Sequence, residues 1–277
     1  MTQRIWRPMI FTVGLVVALN GYGEGAGLPD ILGIQLGMPA REAHAKLQAQ
    51  LPKNVIQVMS TNLPTIEKPV ITSFESSPKQ PLAMGDEGDQ VMVAVTLPPN
   101  KQAVWRVDRN HSFPGKGIPK STLLASLREK YGKETLTNVQ QGKPASNDNQ
   151  IATLLWIYDE AGRPAPPPSS GNNLANVILM QCIGAVDGHI DTVEVYMNNY
   201  KGKNAQADWC YSSYTAVYAT VMESNPPELY SHMRLVIASL PFAARASEAT
   251  SKWKKGIAEG QHRQDLEKAK QQEKPKL

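Results

Sequence analysis

The residues able to do chemistry are few and scattered. Histidine occurs at five places, His44, His111, His189, His232 and His262. Only the segment "VDGHID" sets one among carboxylates at alternate positions, Asp187, His189 and Asp191. In an extended segment every second side chain shares a face, so these three could converge on a cation. The same residues also make a plain polar turn, and no metal is assigned to them. "GDEGD", 85–89, offers carboxylate oxygens without the twelve-residue order of a calcium loop, and reads as a solvated loop ahead of a strand. "GKGIPKST", 115–122, looks like a phosphate cradle only at first sight: the spacing is wrong, and Pro119 removes a backbone donor. No G-x-S-x-G and no paired Ser and His context occurs. The expectation is therefore no assignable catalytic, metal or cofactor-binding residue and no cofactor, with an enzyme left open and a non-catalytic role preferred.

Two cysteines, Cys182 and Cys210, are the only ones in the chain. In an oxidising compartment one disulfide is the simplest use of them, stabilising by about 3 kcal/mol; two free buried thiols are the alternative. Between and just beyond them lie Tyr196, Tyr200, Trp209 and Tyr211, mixed with Asn and Lys. Amphipathic aromatics of this kind anchor interfaces, so these four form the candidate interaction surface. The alternative is that tyrosines from 211 onward simply pack beneath a helix.

The elements that must position these residues begin at the N-terminus, where Arg4 and Arg7 precede an apolar run from Met9 to Leu19, followed by small residues. That pattern is a secretory signal, assigned to residues 1–23, and the run is well short of the roughly twenty residues of a spanning helix. No cysteine lies there to carry a lipid anchor. The expected location is periplasmic or secreted, with no stable membrane insertion after cleavage; a retained anchor is the rival. Between Lys252 and Leu277 there are eight Lys or Arg against four Asp or Glu, which accounts for the whole net charge of +4. Mixed signs and few apolar anchors make this a basic helix or tail, 251–277, with no nucleic-acid role expected.

The remaining pattern is helix and strand. "PAREAHAKLQAQL" puts Ala40, Ala43, Leu47 and Leu51 on one helical face, and Leu123, Leu127 and Tyr131 do the same in a second helix that Gly132 can end. "QVMVAVTL" alternates with Val91, Val93, Val95 and Leu97 on one side, a half-buried antiparallel strand. "AVWRVDRN" sets Ala103, Trp105 and Val107 on one side, with Trp105 assigned to the core. Further strands are expected over "NVIQVMS", "VITSFES", "QIATLLWIY", "NVILMQC", "YTAVYATVM" and "ELYSHMRLVIASL".

Gly37 to Lys53 laid on Gly117 to Lys133 match at Gly, Pro, Ala, Leu and Lys, and each copy precedes strand-like segments. The reading is one supersecondary unit written twice. "IQLGMPAREAHAKL" resembles the start of small exported bacterial modules, the SmpA/OmlA outer-membrane-assembly lipoproteins and the tandem beta-lactamase-inhibitor-protein fold. "GIPKSTLLASLREKYGKET" resembles exported Gram-negative proteins of unknown function. The resemblance implies a fold and a side of the membrane, and carries over no functional residue.

The expected architecture is α+β, two tandem helix-on-antiparallel-sheet units over 28–113 and 114–250, the second with an insertion at 183–209. The expected function is a binding module for a protein or cell-envelope component, with oligomeric state left open. A small periplasmic hydrolase and a membrane-tethered scaffold are the alternatives.

Overall fold

The computed structural model describes residues 28–63, 66–80, 86–137, 151–165, 193, 215–224 and 226–271. The signal segment, the strand expected at 176–182, both cysteines and the aromatic set Tyr196, Tyr200, Trp209 and Tyr211 lie outside the described residues. So do Asp187, His189 and Asp191, and the insertion apart from Val193.

The chain opens with a small hairpin, β1 (Asp30–Ile31) and β2 (Ile34–Gln35), then helix α1 (Ala40–Gln50). Four strands follow as a meander: β3 (Asn54–Thr61), β4 (Val70–Pro78), β5 (Gly88–Val95) and β6 (Val104–Ser112). A two-residue strand β7 (Ile118–Pro119) leads into α2 (Lys120–Tyr131). Then come β8 (Leu136–Thr137), β9 (Ile151–Tyr158), β10 (Thr215–Glu223), β11 (Leu229–Ser239) and a long helix α3 (Leu240–Lys270). Strand order in the main sheet is β3-β4-β5-β6-β11-β10-β9-β8, antiparallel at every pairing, with β7 attached to β11. The α+β class is as expected.

Two cores sandwich this sheet. On one face α1, α2 and the opening hairpin bury Ala43, Leu47, Leu123, Leu127 and Tyr131 against Val91, Val93, Val107, Trp156 and Leu235. The helical spacing of these residues makes the stripe, and burying each of its leucines stabilises by about 1.5–3 kcal/mol. On the other face Leu240, Ala243 and Ala246 of α3 cover Trp105, Leu97, Leu155, Ile157 and Val193. The end of α2 is fixed from β9: the Trp156 indole donates to the Gly132 carbonyl at 2.8 Å, and the Tyr158 hydroxyl donates to the Tyr131 carbonyl at 2.9 Å. Burial holds both the Tyr131 and Tyr158 hydroxyls above their ordinary range.

Helix α3 starts where Ser239 caps it, its Oγ accepting from the Phe242 amide, with Pro241 in the first turn. Burial stops near Thr250, but the helix runs on to Lys270. Pairs such as Lys252–Glu248 and Lys270–Glu267 lie along the exposed part.

Three bulges depart from simple alternation, one of them at Thr72 of β4, where Met59 pairs Ser73 while Ser60 pairs Ile71. Ala94 pairs Arg106 while Val95 pairs Val104, so Trp105 is an extra residue. It turns to the α3 side, whereas Val107 faces α1 and α2, which corrects the expected grouping of Trp105 with Val107. Past the same irregularity Leu97 also packs on the α3 side, apart from Val91, Val93 and Val95. In β11, Met222 pairs His232 while Glu223 pairs Tyr230, leaving Ser231 as the extra residue.

Candidate functional site

Helix α3 shields only one end of its sheet face. Beyond it, among the described residues, Gln90, Asn110, Met222 and His232 are exposed on the even-numbered side of the central strands, while Arg106 and Asp108 lie buried between them. Asp108 and Arg106, two apart on β6, share that face, and Arg234 reaches across from β11, where it stands opposite Asn110. Asp108 accepts from Arg106 Nη2 at 2.8 Å. It also takes Arg234 in a fork, Nε to Oδ1 at 3.1 Å and Nη2 to Oδ2 at 2.6 Å. Arg106 is buried, with 2% of its side chain exposed, while Arg234 remains 42% exposed. Burial pushes the Asp108 carboxyl up, but the two guanidiniums outweigh it and hold it below the usual carboxylate range. The same contact raises Arg234. The shared carboxylate fixes both guanidiniums in orientation.

Around it lie two shallow depressions. One, of about 580 Å³, runs from β3 to β11 past Gln57, Glu75, Gln90, Met92, Asn110 and Arg234. The other, of about 450 Å³, is lined by Tyr218, Thr220, Met222, His232 and Arg234. Arg234 lines both. Amides, hydroxyls, a thioether and a ring beside a fixed guanidinium can hold an extended polar surface, and at its edge the His232 Nδ1 lies 3.0 Å from the Ser231 hydroxyl.

A second charged cluster sits on the opposite face, at the helix-covered side. Asp89 of β5 accepts from Arg109 Nε and Nη2 at 2.5 and 3.1 Å, and His111 Nδ1 lies 3.1 Å from the same carboxylate. The His111 ring meets Phe113 edge to face. Asp89, expected in a solvated loop, is instead the second residue of β5 and carries this pair. Burial pushes its carboxyl up, but the hydrogen bonds from His111 and Arg109 dominate and hold it at about 2. The unfolded value is near 3.8. A carboxylate with a lowered folded value contributes stability above its unfolded value and loses it as pH falls through the folded one. Denaturant titrations between pH 4 and pH 2 are therefore expected to lose about 2 kcal/mol to this group, and Asp89→Asn to flatten that part of the slope. An unchanged slope in the variant would remove Asp89 as its source.

Among the described residues no group of His, Cys, Asp or Glu is placed to hold a metal, and no helix is long and apolar enough to cross a membrane. His44 packs its ring on Phe74, and His232 and His262 are exposed. The Arg106–Asp108–Arg234 set was not singled out in the sequence. Its trace there is a pair of charges inside the apolar run "AVWRVDRN" and one more, Arg234, in "HMRLVIASL". The chain matches no family model, no curated protein and no solved structure.

Proposed function

We propose that this chain is an exported, periplasmic, non-catalytic binding module, built from one helix-on-sheet unit used twice, that holds a protein or envelope component on the uncovered half of its sheet. The observation that carries the binding role is the open sheet face beyond α3, where Arg234, fixed by Asp108, borders both depressions.

Support for a unit used twice comes from the two Gly-x-Pro corners. Pro39 bridges Ala103 at the head of β6, and Pro119 pairs Leu229 at the head of β11. The Ala40 amide donates to Gln102 O at 2.8 Å, and the Lys120 amide to Glu228 O at 3.0 Å. The extra residues of the β6 and β11 bulges, Trp105 and Ser231, lie two positions beyond those paired residues. Arg109 and Leu235, each six positions beyond, stand directly opposite one another where β6 meets β11. These correspondences are what a two-fold axis through that pair would produce, and they support the reading of one unit used twice. The apolar run near the N-terminus supports export.

The test is capture. Tagged mature protein cross-linked in its own cell envelope is expected to retain one stoichiometric partner. Charges placed on the open face by Gln90→Glu with Met222→Glu, both exposed positions, are expected to weaken capture about tenfold or more without unfolding the protein. Equal capture by the folded variant sinks the open-face reading. A parallel variant, Tyr200→Ala with Trp209→Ala, reports on the insertion as the alternative surface.

A further inference from the structure

The outer strand at one end of the sheet, β3, has β4 on one side and, among the described residues, no strand on the other. Among the described residues no group takes up the backbone donors and acceptors of Val55 to Thr61 on that side. Such edges are ordinarily blunted by lysine, proline, shortness or a covering loop. β3 has eight residues, Asn54 to Thr61, with neither charge nor proline among them. It also carries most of the exposed large apolar side chains among the described residues: Val55 at 43%, Val58 at 49% and Met59 at 39%.

These residues are spread over both faces. Val55, Gln57 and Met59 stand opposite Ser77, Glu75 and Ser73, on the side of the open face, while Ile56 and Val58 stand opposite Ser76 and Phe74, on the helix side. A strand added here would therefore meet apolar neighbours above and below the sheet plane.

The order of the residues indicates which strand fits. "VIQVM" places two apolar residues on each side of Gln57. If a second copy approaches antiparallel about a two-fold axis through Gln57, perpendicular to the sheet, Val55 faces the other copy's Met59 on the open side. Ile56 then faces its Val58 on the helix side, and Gln57 faces Gln57. Directly opposite residues in an antiparallel pair share a face, so this register keeps both faces consistent, whereas a slip of one residue breaks the match. With no charge in the strand, the pairing brings no like charges together.

We infer that β3 pairs with β3 of a second copy of this chain in the register centred on Gln57, joining two sheets into one. The contact is isologous and uses the β3 edge of each copy, so it closes at two. A single strand pair is a narrow interface, and a dissociation constant in the micromolar range, about 1–100 μM, is expected.

Sedimentation of the mature protein over that concentration range is expected to show a monomer–dimer equilibrium. Gln57→Glu would set two carboxylates face to face, flanked by Glu75 of each copy, and is expected to raise the dissociation constant at least tenfold with the circular dichroism spectrum unchanged. Independently of that variant's folding, Gln57→Cys is expected to give a covalent dimer on mild oxidation, in which peptide mapping finds the introduced thiol of one copy bonded to the same thiol of the other. A wild-type protein that stays monomeric throughout overturns the proposal and leaves the edge for a strand of another protein. Assemblies larger than two, a dimer that Gln57→Glu leaves intact, or a failure of the two introduced thiols to join would each overturn it as well.

Discussion

Replacing Asp108 by Asn is expected to cost about 3 kcal/mol of folding stability at pH 7, read from urea denaturation. The carboxylate holds Arg106 at 2.8 Å and Arg234 in a fork, and the Arg106 side chain is almost fully removed from solvent. Taking away the shared anion leaves two neighbouring cations, one of them buried, facing a neutral amide. Removing one partner of a buried ionic set costs far more than the set contributes as a whole. The matching control replaces all three together, Arg106→Met, Asp108→Leu and Arg234→Met, and is expected to regain most of the loss. Sheltered charges are weakly screened, so added salt should rescue Asp108→Asn little. A loss under about 1 kcal/mol would mean that water reaches Arg106 readily enough to replace the carboxylate.

The second large effect belongs to a glycine. Gly117 has φ +108, and a Cβ built there would collide with the Tyr230 carbonyl oxygen and lie 2.7 Å from its carbon. Both atoms are backbone of β11, held by the ladders to β7 and β10, so no side chain can swing aside. Gly117→Ala is expected to destabilise by about 3 kcal/mol or more, combining left-handed strain with displacement of the strand. Gly37, at the corresponding corner, has φ +83 but nothing within 4 Å of the same built atom. Gly37→Ala should carry the backbone strain alone, about 1–2 kcal/mol. Thermal or urea midpoints of the two variants compare them directly, and equal losses would mean that β11 yields to the added methyl.

Neither effect is written in the local pattern of the chain, whereas other features are. Helical spacing in 40–51 and 123–131 names the buried faces, because period and burial are local properties. The strand over Val91–Val95 is likewise visible in its own alternation. The bulge at Trp105 is not, since it arises only when β6 is matched against β5, and a single strand's pattern holds no trace of its partner's register. The Arg106–Asp108–Arg234 set escapes for a similar reason: Arg106 and Asp108 stand together on β6, but Arg234 comes from β11, and a charge pair within an apolar run reads as an exception until the sheet brings the third member alongside. Asp89 fails in the opposite direction. Its neighbours Asp86, Glu87 and Gly88 look like loop, and only Arg109 and His111 opposite explain why it is drawn into the strand. The aromatic residues chosen as an interaction surface lie outside the described chain, so their role stands as a separate test.

The seam between β6 and β11 has a consequence in time. As the chain emerges from its N-terminus, the meander from β3 to β6 can assemble from neighbours close in sequence, but β6 must wait for a partner more than a hundred residues downstream. Until β11 arrives, β6 is a second raw edge, and Trp105 lacks the helix that shelters it, because α3 follows directly on β11. Long-range pairing of this kind is slow, and half-made sheets are sticky. The last strand and helix therefore act as the closing step of assembly, and a chain cut short before Leu229 keeps β3 to β10 but leaves β6 without the strand that pairs it.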